Sequence, residues 1–211
     1  MPPCQPSKIV AIGINYRSHA TEFKHDLPYS PLMFLKPATA VIGPGDDIVY
    51  PALSNQVDFE GELGIVMGKK AHLIDAADAP KCILGYTCFN DVTARDLQKK
   101  DGQWTRAKGF DTFAAIGPWI ETELDPSNLK LETRLNGEIK QNGTTTDLIF
   151  NVAQLVSAVS QVMTLLPGDV IASGTPGGIG SMQPGDTIEI YIEGIGTLVN
   201  HVSRAAVVTS K

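Results

Sequence analysis

The clearest periodicity in the chain runs from residue 151 to residue 168. There Val152, Leu155, Val156, Val159, Met163 and Leu166 recur at the three- and four-residue spacing of one helix face. Asn151 can cap the first turn and Pro167-Gly168 closes the segment, so the stripe predicts a helix packed on a sheet. A different period governs residues 129–135, where apolar and polar positions mostly alternate up to Asn136-Gly137 and a second, more polar run. Asn-Gly between two such runs is the strongest short-range signal of a β-hairpin and predicts one here. Pro-Gly-Asp occurs at Pro44-Gly45-Asp46, Pro167-Gly168-Asp169 and Pro184-Gly185-Asp186, each ahead of a β-rich apolar run. Proline fixes φ at one turn position and glycine supplies positive φ at the next, which predicts turns opening strands at IVY, VIAS and TIEIYIE. Their unequal spacing and dissimilar flanks exclude a solenoid repeat. Shorter helices are expected at about Tyr16 to Lys24 and Thr93 to Lys100, with strand and turn elsewhere. The pattern describes a β-rich mixed α+β fold with a few short helices, expected as one domain over residues 1–211 with a flexible tail at 1–8.

Composition narrows the class. Hydrophobic residues make up 43% and charged residues 19%, enough apolar material for a core and too little charge for a disordered chain. The 20 glycines and 14 prolines are scattered along the chain, in keeping with many turns between short strands. Seventeen basic against 23 acidic residues give a net charge of -6 without a clustered Lys/Arg stripe, which disfavours nucleic acid as a partner. No segment approaches about 18 unbroken apolar residues, and MPPCQPSKIV lacks the charged and apolar regions of a secretory leader. Membrane insertion and secretion are therefore disfavoured and a cytoplasmic location is expected. Cys4, Cys82 and Cys88 are odd in number and form no metal-type pair, which suits reduced thiols; Cys82 and Cys88 read as core or inert.

Candidate chemistry concentrates in VDFEGELGIVMG, residues 57–68. In a single strand Asp58, Glu60 and Glu62 would share a face and repel one another. Solvation along an acidic edge resolves that conflict, and so does a hard divalent cation with oxygen ligands. The apolar continuation through Met67 favours at least partial burial. Asp91, Arg95 and Gln98 fall at i, i+4 and i+7, on one helical face if the turn begins at Asp91. Asp91 is then either a helix cap or a further metal carboxylate, with Arg95 and Gln98 facing an anionic ligand. His19 and Glu22, three apart, read either as a water-activating pair or as a surface ion pair. Lys108 is ambiguous in isolation. SGTPGGIG at 173–180 lacks the lysine of a phosphate loop and the spacing of a dinucleotide fingerprint, leaving a turn whose N–H groups could ring a carboxylate.

Taken in order, GINYRSHATEF, FLKP at 34–37, VDFEGELGIVMG, NDVTARDLQ, WTRAKGFDTF and SGTPGGIG resemble the fumarylacetoacetate hydrolase family, from about Ile9 to His201. The nearest subgroup is that of the short acylpyruvase and oxaloacetate decarboxylase enzymes. The resemblance implies the β-roll of the family's C-terminal domain. It implies that Glu60, Glu62 and Asp91 hold Mg²⁺ or Mn²⁺, and that His19 and Glu22 form a water-activating dyad on a lid segment. By the same resemblance Lys108 steadies enolate charge, Arg95 and Gln98 are substrate-side polar groups, and Thr175 contacts the substrate carboxylate. A homodimer and a small 2-oxo acid substrate are implied as well. Ile14 departs from the subgroup, whose members often carry arginine there in a Gly-Arg-Asn-Tyr sequence. The activity implied is metal-dependent cleavage of small 2-oxo acids, by acylpyruvate hydrolysis or oxaloacetate decarboxylation. Isomerisation or tautomerisation of related dicarboxylates is a second reading, and a non-catalytic metal- or ligand-binding protein a third.

Overall fold

In the computed structural model, which describes residues 1–22 and 26–204, short strands alternate with a few short helices. In chain order these are β1 (Ile9–Gly13), α1 (Arg17–Glu22), β2 (Leu32–Lys36), β3 (Val41–Ile42), β4 (Asp47–Tyr50), β5 (Val57–Phe59), β6 (Gly61–Met67), β7 (Ile83–Asp91) and β8 (Thr93–Ala94). They continue as α2 (Arg95–Asp101), α3 (Thr105–Lys108), β9 (Ala114–Glu121), β10 (Lys130–Leu135), β11 (Glu138–Thr144), α4 (Val152–Val162), β12 (Val170–Ala172), β13 (Gly180–Met182), β14 (Thr187–Ile192) and β15 (Gly196–Arg204). The fold is a strand-rich α+β arrangement, as the sequence pattern describes.

The Pro-Gly-Asp turns form as expected and deliver the chain into β4, β12 and β14, with φ of +78°, +86° and +102° at Gly45, Gly168 and Gly185. The aspartate has a task the pattern did not show. Asp46, Asp169 and Asp186 each accept a hydrogen bond from the N–H three residues earlier, at 2.8 Å, 2.8 Å and 2.6 Å, closing the turn on itself. The Asn136-Gly137 hairpin also forms, with φ of +52° and +81° joining β10 to β11. Asn151 caps α4 in a reciprocal capping box with Gln154.

The expected end of α4 is corrected. The helix stops at Val162, Met163 is extended, and Leu166 is exposed rather than part of the buried stripe. The backbone of Leu165 instead pairs with Ala71, exchanging hydrogen bonds of 2.9 and 3.0 Å, so a distant strand-like partner takes over the groups a further turn would have used. The helix expected at Tyr16 to Lys24 is seen as α1; Lys24 lies outside the described residues. The segment expected as helix from Thr93 begins with the short strand β8 and turns helical only at Arg95. Residues 1–8, expected as a flexible tail, lie against the body. Ser7 Oγ donates to Asp169 at 2.6 Å, Lys8 pairs with the same carboxylate, and the backbone of Met1 and Pro2 occupies the space a side chain at Gly43 would need.

Among the described residues three sheets form, of strand order β2-β1-β12-β6-β7-β9-β3, β11-β10-β14-β15-β4, and β13-β5-β8. Strand β6 is buried at every position because both of its faces are covered. Leu63, Ile65 and Met67 enter a core with α4 and with Leu131, Ile190 and Leu198 of the five-stranded sheet. Val66 joins Phe89 and Ile116 on the opposite face. Cys88 lies in the first core and Cys82 packs at its margin, both with free thiols. No helix among the described residues is long and apolar enough to cross a membrane.

Candidate metal and substrate site

The acidic run at 57–68 is two strands, not one. Val57–Phe59 pairs with β8 and β13, Gly61–Met67 pairs with β7 and β12, and Glu60 forms the corner between them. All three acids are nevertheless buried, Asp58 at 3% exposure, Glu60 at 6% and Glu62 at 1%, which excludes a solvated acidic edge. The corner also separates them. Asp58 turns to Arg95 Nε at 2.9 Å and to the hydroxyl of Ser181 at 2.6 Å. Glu60 and Glu62 instead converge with Asp91, each offering an oxygen within 4.8 Å of the others.

Asp91 reaches this point from a strand, and the reading of it as the start of a helical turn is corrected. It is the last residue of β7, and its N–H donates to Glu60 O at 2.9 Å across the sheet; the cap position of α2 belongs to Ala94. Arg95 and Gln98 do lie one turn apart on α2, where Arg95 Nη1 donates to Gln98 Oε1 at 2.6 Å.

Among the described residues, three lysine or arginine side chains meet these carboxylates. Lys108 Nζ donates to Asp91 Oδ2 at 2.5 Å and to Glu60 Oε2 at 3.0 Å, with the Phe34 ring 5.0 Å away. Arg95 spans Asp58 and Glu60. Lys36, which the sequence reading passed over, is fully buried and donates to Asp91 Oδ1 at 2.5 Å and to Val92 O at 3.1 Å. Its signal in the sequence was its place in FLKP at 34–37, one of the segments that carry the family resemblance, though no role was expected of it there. Burial lowers the Lys36 ammonium to about 8 despite Asp91 beside it. Burial opposes the charge of Lys108 too, but Asp91 and Glu60 outweigh it and hold that ammonium above its ordinary value.

Among the described residues, four carboxylates (Asp58, Glu60, Glu62, Asp91) thus face three lysine or arginine cations (Lys36, Arg95, Lys108). The deficit falls on one residue. Burial would raise Glu60, yet Lys108 and Arg95 bring it down to about 2. Glu62 is pushed well above the carboxylate range by burial and then by Asp91 and Glu60, against Lys108 and one N–H from Gly174. A buried oxygen cluster short of positive charge fits a hard divalent cation such as Mg²⁺ or Mn²⁺, with Glu60, Glu62 and Asp91 as its ligands.

The cluster opens into a cavity of about 500 Å³, with Ile12, Ile14, Phe34, Trp104 and Ile179 on its apolar wall and His19, Arg95, Gln98, Lys108 and Thr175 among its polar lining. A second cavity, of about 580 Å³, lies between Tyr86, Leu124, Leu148 and Val152 and, among the described residues, is lined by no Asp, Glu, His, Lys or Arg side chain. His19 comes from α1, which is fastened by Ser18 N–H to Asp147 at 3.0 Å and by Arg17 to Leu148 O at 2.9 Å. Glu22, on the same helix, accepts from Gly178 N–H at 3.0 Å. The N–H groups of the 173–180 loop therefore hold the protein's own carboxylates, Glu22 and, through Gly174 at 2.8 Å, Glu62. The Thr175 hydroxyl spends its proton on Gly61 O at 2.8 Å, so in this arrangement it offers the cavity an acceptor. Ile14 lines the cavity at φ +54°, a strained setting for a β-branched residue. The turn is held by Asn15, whose side chain bonds Phe150 N–H at 2.8 Å and Ser173 O at 2.7 Å.

Residues 8–203 match the fumarylacetoacetate (FAA) hydrolase C-terminal family. The chain is 56% identical over 200 residues to an uncharacterized protein of Archaeoglobus fulgidus, covering 95% of this chain and 80% of that one. It is 40% identical over 213 residues to the mitochondrial oxaloacetate tautomerase of Bos taurus, covering 95% and 68% of the two chains. A solved 5-carboxymethyl-2-hydroxymuconate delta-isomerase from Mycobacterium smegmatis shares the fold with a TM-score of 0.92 at 52% identity, over 97% of this chain and 82% of that one. The matched span takes in every strand, helix and loop that builds the acidic corner and its cavity, and on that footing the chain belongs to the fumarylacetoacetate hydrolase family.

Proposed function

We propose that the protein is a divalent-cation-dependent enzyme acting on small 2-oxo acids through an enolate. The observation that carries this reading is the buried corner of Glu60, Glu62 and Asp91 with Lys108 set against it at the end of a cavity. When bound, Mg²⁺ or Mn²⁺ supplies polarisation of a keto oxygen and positive charge beside the developing enolate. Lys108 is the buried ammonium of the cavity lining, placed to stabilise that negative charge in a water-poor setting. Arg95 and Gln98 orient the substrate from one turn of α2, while Phe34 and Trp104, packed edge to face at 5.0 Å, shield the reacting end from water.

His19 is the proton-transfer group of this scheme. Taking a proton from the carbon next to the keto group and returning it elsewhere on the substrate gives tautomerisation or isomerisation, the reading supported by the names of the relatives. The same imidazole, assisted by Glu22, taking a proton from water instead would drive attack on the distal carbonyl of an acylpyruvate, releasing pyruvate enolate and a carboxylic acid. Oxaloacetate decarboxylation needs no added nucleophile, since loss of CO₂ delivers the enolate directly.

One panel separates these outcomes: oxaloacetate, acylpyruvates and fumarylpyruvate, each with Mg²⁺ or Mn²⁺, followed by substrate absorbance and product identity. Keto–enol exchange without pyruvate supports tautomerisation, and pyruvate release supports cleavage. Cation binding with no turnover on any of them would return the protein to the non-catalytic reading.

A further inference from the structure

Gln141 lies on β11, in a different sheet from the site; it is fully buried and is not part of the cavity lining. Its amide oxygen accepts from Gly61 N–H at 2.9 Å, and its amide nitrogen donates to Thr175 Oγ1 at 2.8 Å and to Pro176 O at 2.9 Å. Thr175 Oγ1 in turn donates to Gly61 O at 2.8 Å. Gly61 stands between Glu60 and Glu62, so the N–H and C=O that set the course of the corner are both held by this pair of side chains. The residue just before Thr175 in the loop, Gly174, donates its N–H to Glu62.

No side chain could stand in for this clasp at Gly61 itself. A Cβ there would lie 2.2 Å from Thr133 Oγ1 and 3.1 Å from Gln141 Oε1. The β10–β11 hairpin thus presses directly on the peptide between the two carboxylates. A glutamine suits the position chemically, since one end must accept from an N–H while the other donates to two oxygens.

We propose that Gln141 is a positioning residue that sets the separation of Glu60 and Glu62 by locking the Gly61 peptide to the Thr175–Pro176 turn. It acts through the ligands and touches neither ion nor substrate. The proposal rests on the cation site described above, and its test keeps the two apart.

Mn²⁺ is titrated into the full-length protein without substrate, free Mn²⁺ is read by electron paramagnetic resonance, and near-ultraviolet circular dichroism and Tm report the fold. Gln141→Met should bind Mn²⁺ about 10- to 100-fold more weakly, the usual cost of losing an outer-shell partner, with tertiary packing retained. Thr175→Val should weaken binding in the same direction and Thr175→Ser should restore it. Thr145→Val, which removes a buried acceptor for Leu129 N–H in the same region, should lower Tm and leave Mn²⁺ affinity unchanged. Affinity within about twofold of wild type in Gln141→Met would overturn the clasp; should that variant not fold, the same result in Thr175→Val would do so. Wild-type protein that binds no Mn²⁺ overturns the cation site itself, and the clasp with it.

Discussion

Glu60 and Glu62 flank a single glycine, and their surroundings push them in opposite directions. Glu60 is gripped by Lys108 and Arg95 and is held at about 2, whereas Glu62 has one backbone N–H and faces two other carboxylates, which hold it well above the usual range. The difference shows that a row of like charges in a sequence is not one environment. The corner at Glu60 gives the first acid to the helix cations and leaves the second to the sheet, so the shortage of positive charge is localised at Glu62.

Removing each carboxylate in turn tests that asymmetry most severely. Glu60→Gln takes one carboxylate partner from each of Lys108 and Arg95, which keep Asp91 and Asp58, and should cost about 3 kcal/mol of stability, since two charge-assisted hydrogen bonds are weakened. Glu62→Gln removes the carboxylate that no lysine or arginine among the described residues pairs with, so the cation-free protein should be no less stable than wild type in urea with a chelator present. Both should lose Mn²⁺ binding and turnover together. Full activity in Glu62→Gln, or after exhaustive chelation, would defeat the ligand assignment.

His19→Ala should lower kcat/KM by about 10² to 10⁴ for tautomerisation and for acylpyruvate hydrolysis, the scale of general acid–base catalysis. Mn²⁺ affinity should survive, since His19 is no ligand in this scheme. Oxaloacetate decarboxylation, which needs no attacking water, should fall less. Equal losses on all reactions would recast His19 as part of a closure over the cavity rather than a proton carrier.

Titration sharpens the contrast further. An ordinary carboxyl of the unfolded chain releases its proton near 4.5, while Glu62 in the cation-free fold retains it to higher pH. Between those values the native state binds more protons than the unfolded one, so the stability of the cation-free protein falls as pH rises. A bound cation needs Glu62 ionised, so its affinity rises over the same window. The gap in Tm between Mn²⁺-loaded and chelated protein should therefore widen with increasing pH; a gap that is constant or shrinks would place the uncompensated charge elsewhere.

The smallest effect is expected at a carboxylate with ample partners. Asp169 is lowered because hydrogen bonds from Lys8, Ser7 and Leu166 overcome its burial. Its folded-state value lies below the unfolded one, so its contribution is present at neutral pH and is lost as pH falls through that lower value. Asp169→Asn should cost about 1–3 kcal/mol and leave Mn²⁺ binding alone. A change in Mn²⁺ affinity would show that the turn before β12 and the site are coupled.

What the chain determined by itself is local. Pro-Gly-Asp, Asn-Gly and the Asn151 cap act through the φ preferences and side-chain reach of neighbouring residues, and each appears in the structure where the pattern places it. The acids Glu60, Glu62 and Asp91 were legible as a group only through their motifs, since nothing in their spacing states that residues 60 and 91 meet. The tertiary structure decided the rest: the end of α4 at Val162, the arrival of Asp91 from a strand, and the roles of Lys36 and Gln141. Lys36 meets Asp91 across 55 residues of chain and Gln141 meets Gly61 across 80. Such pairs depend on strand register and sheet packing, and a buried lysine or glutamine looks, in sequence, like any solvated one until the partner that compensates its burial is in place.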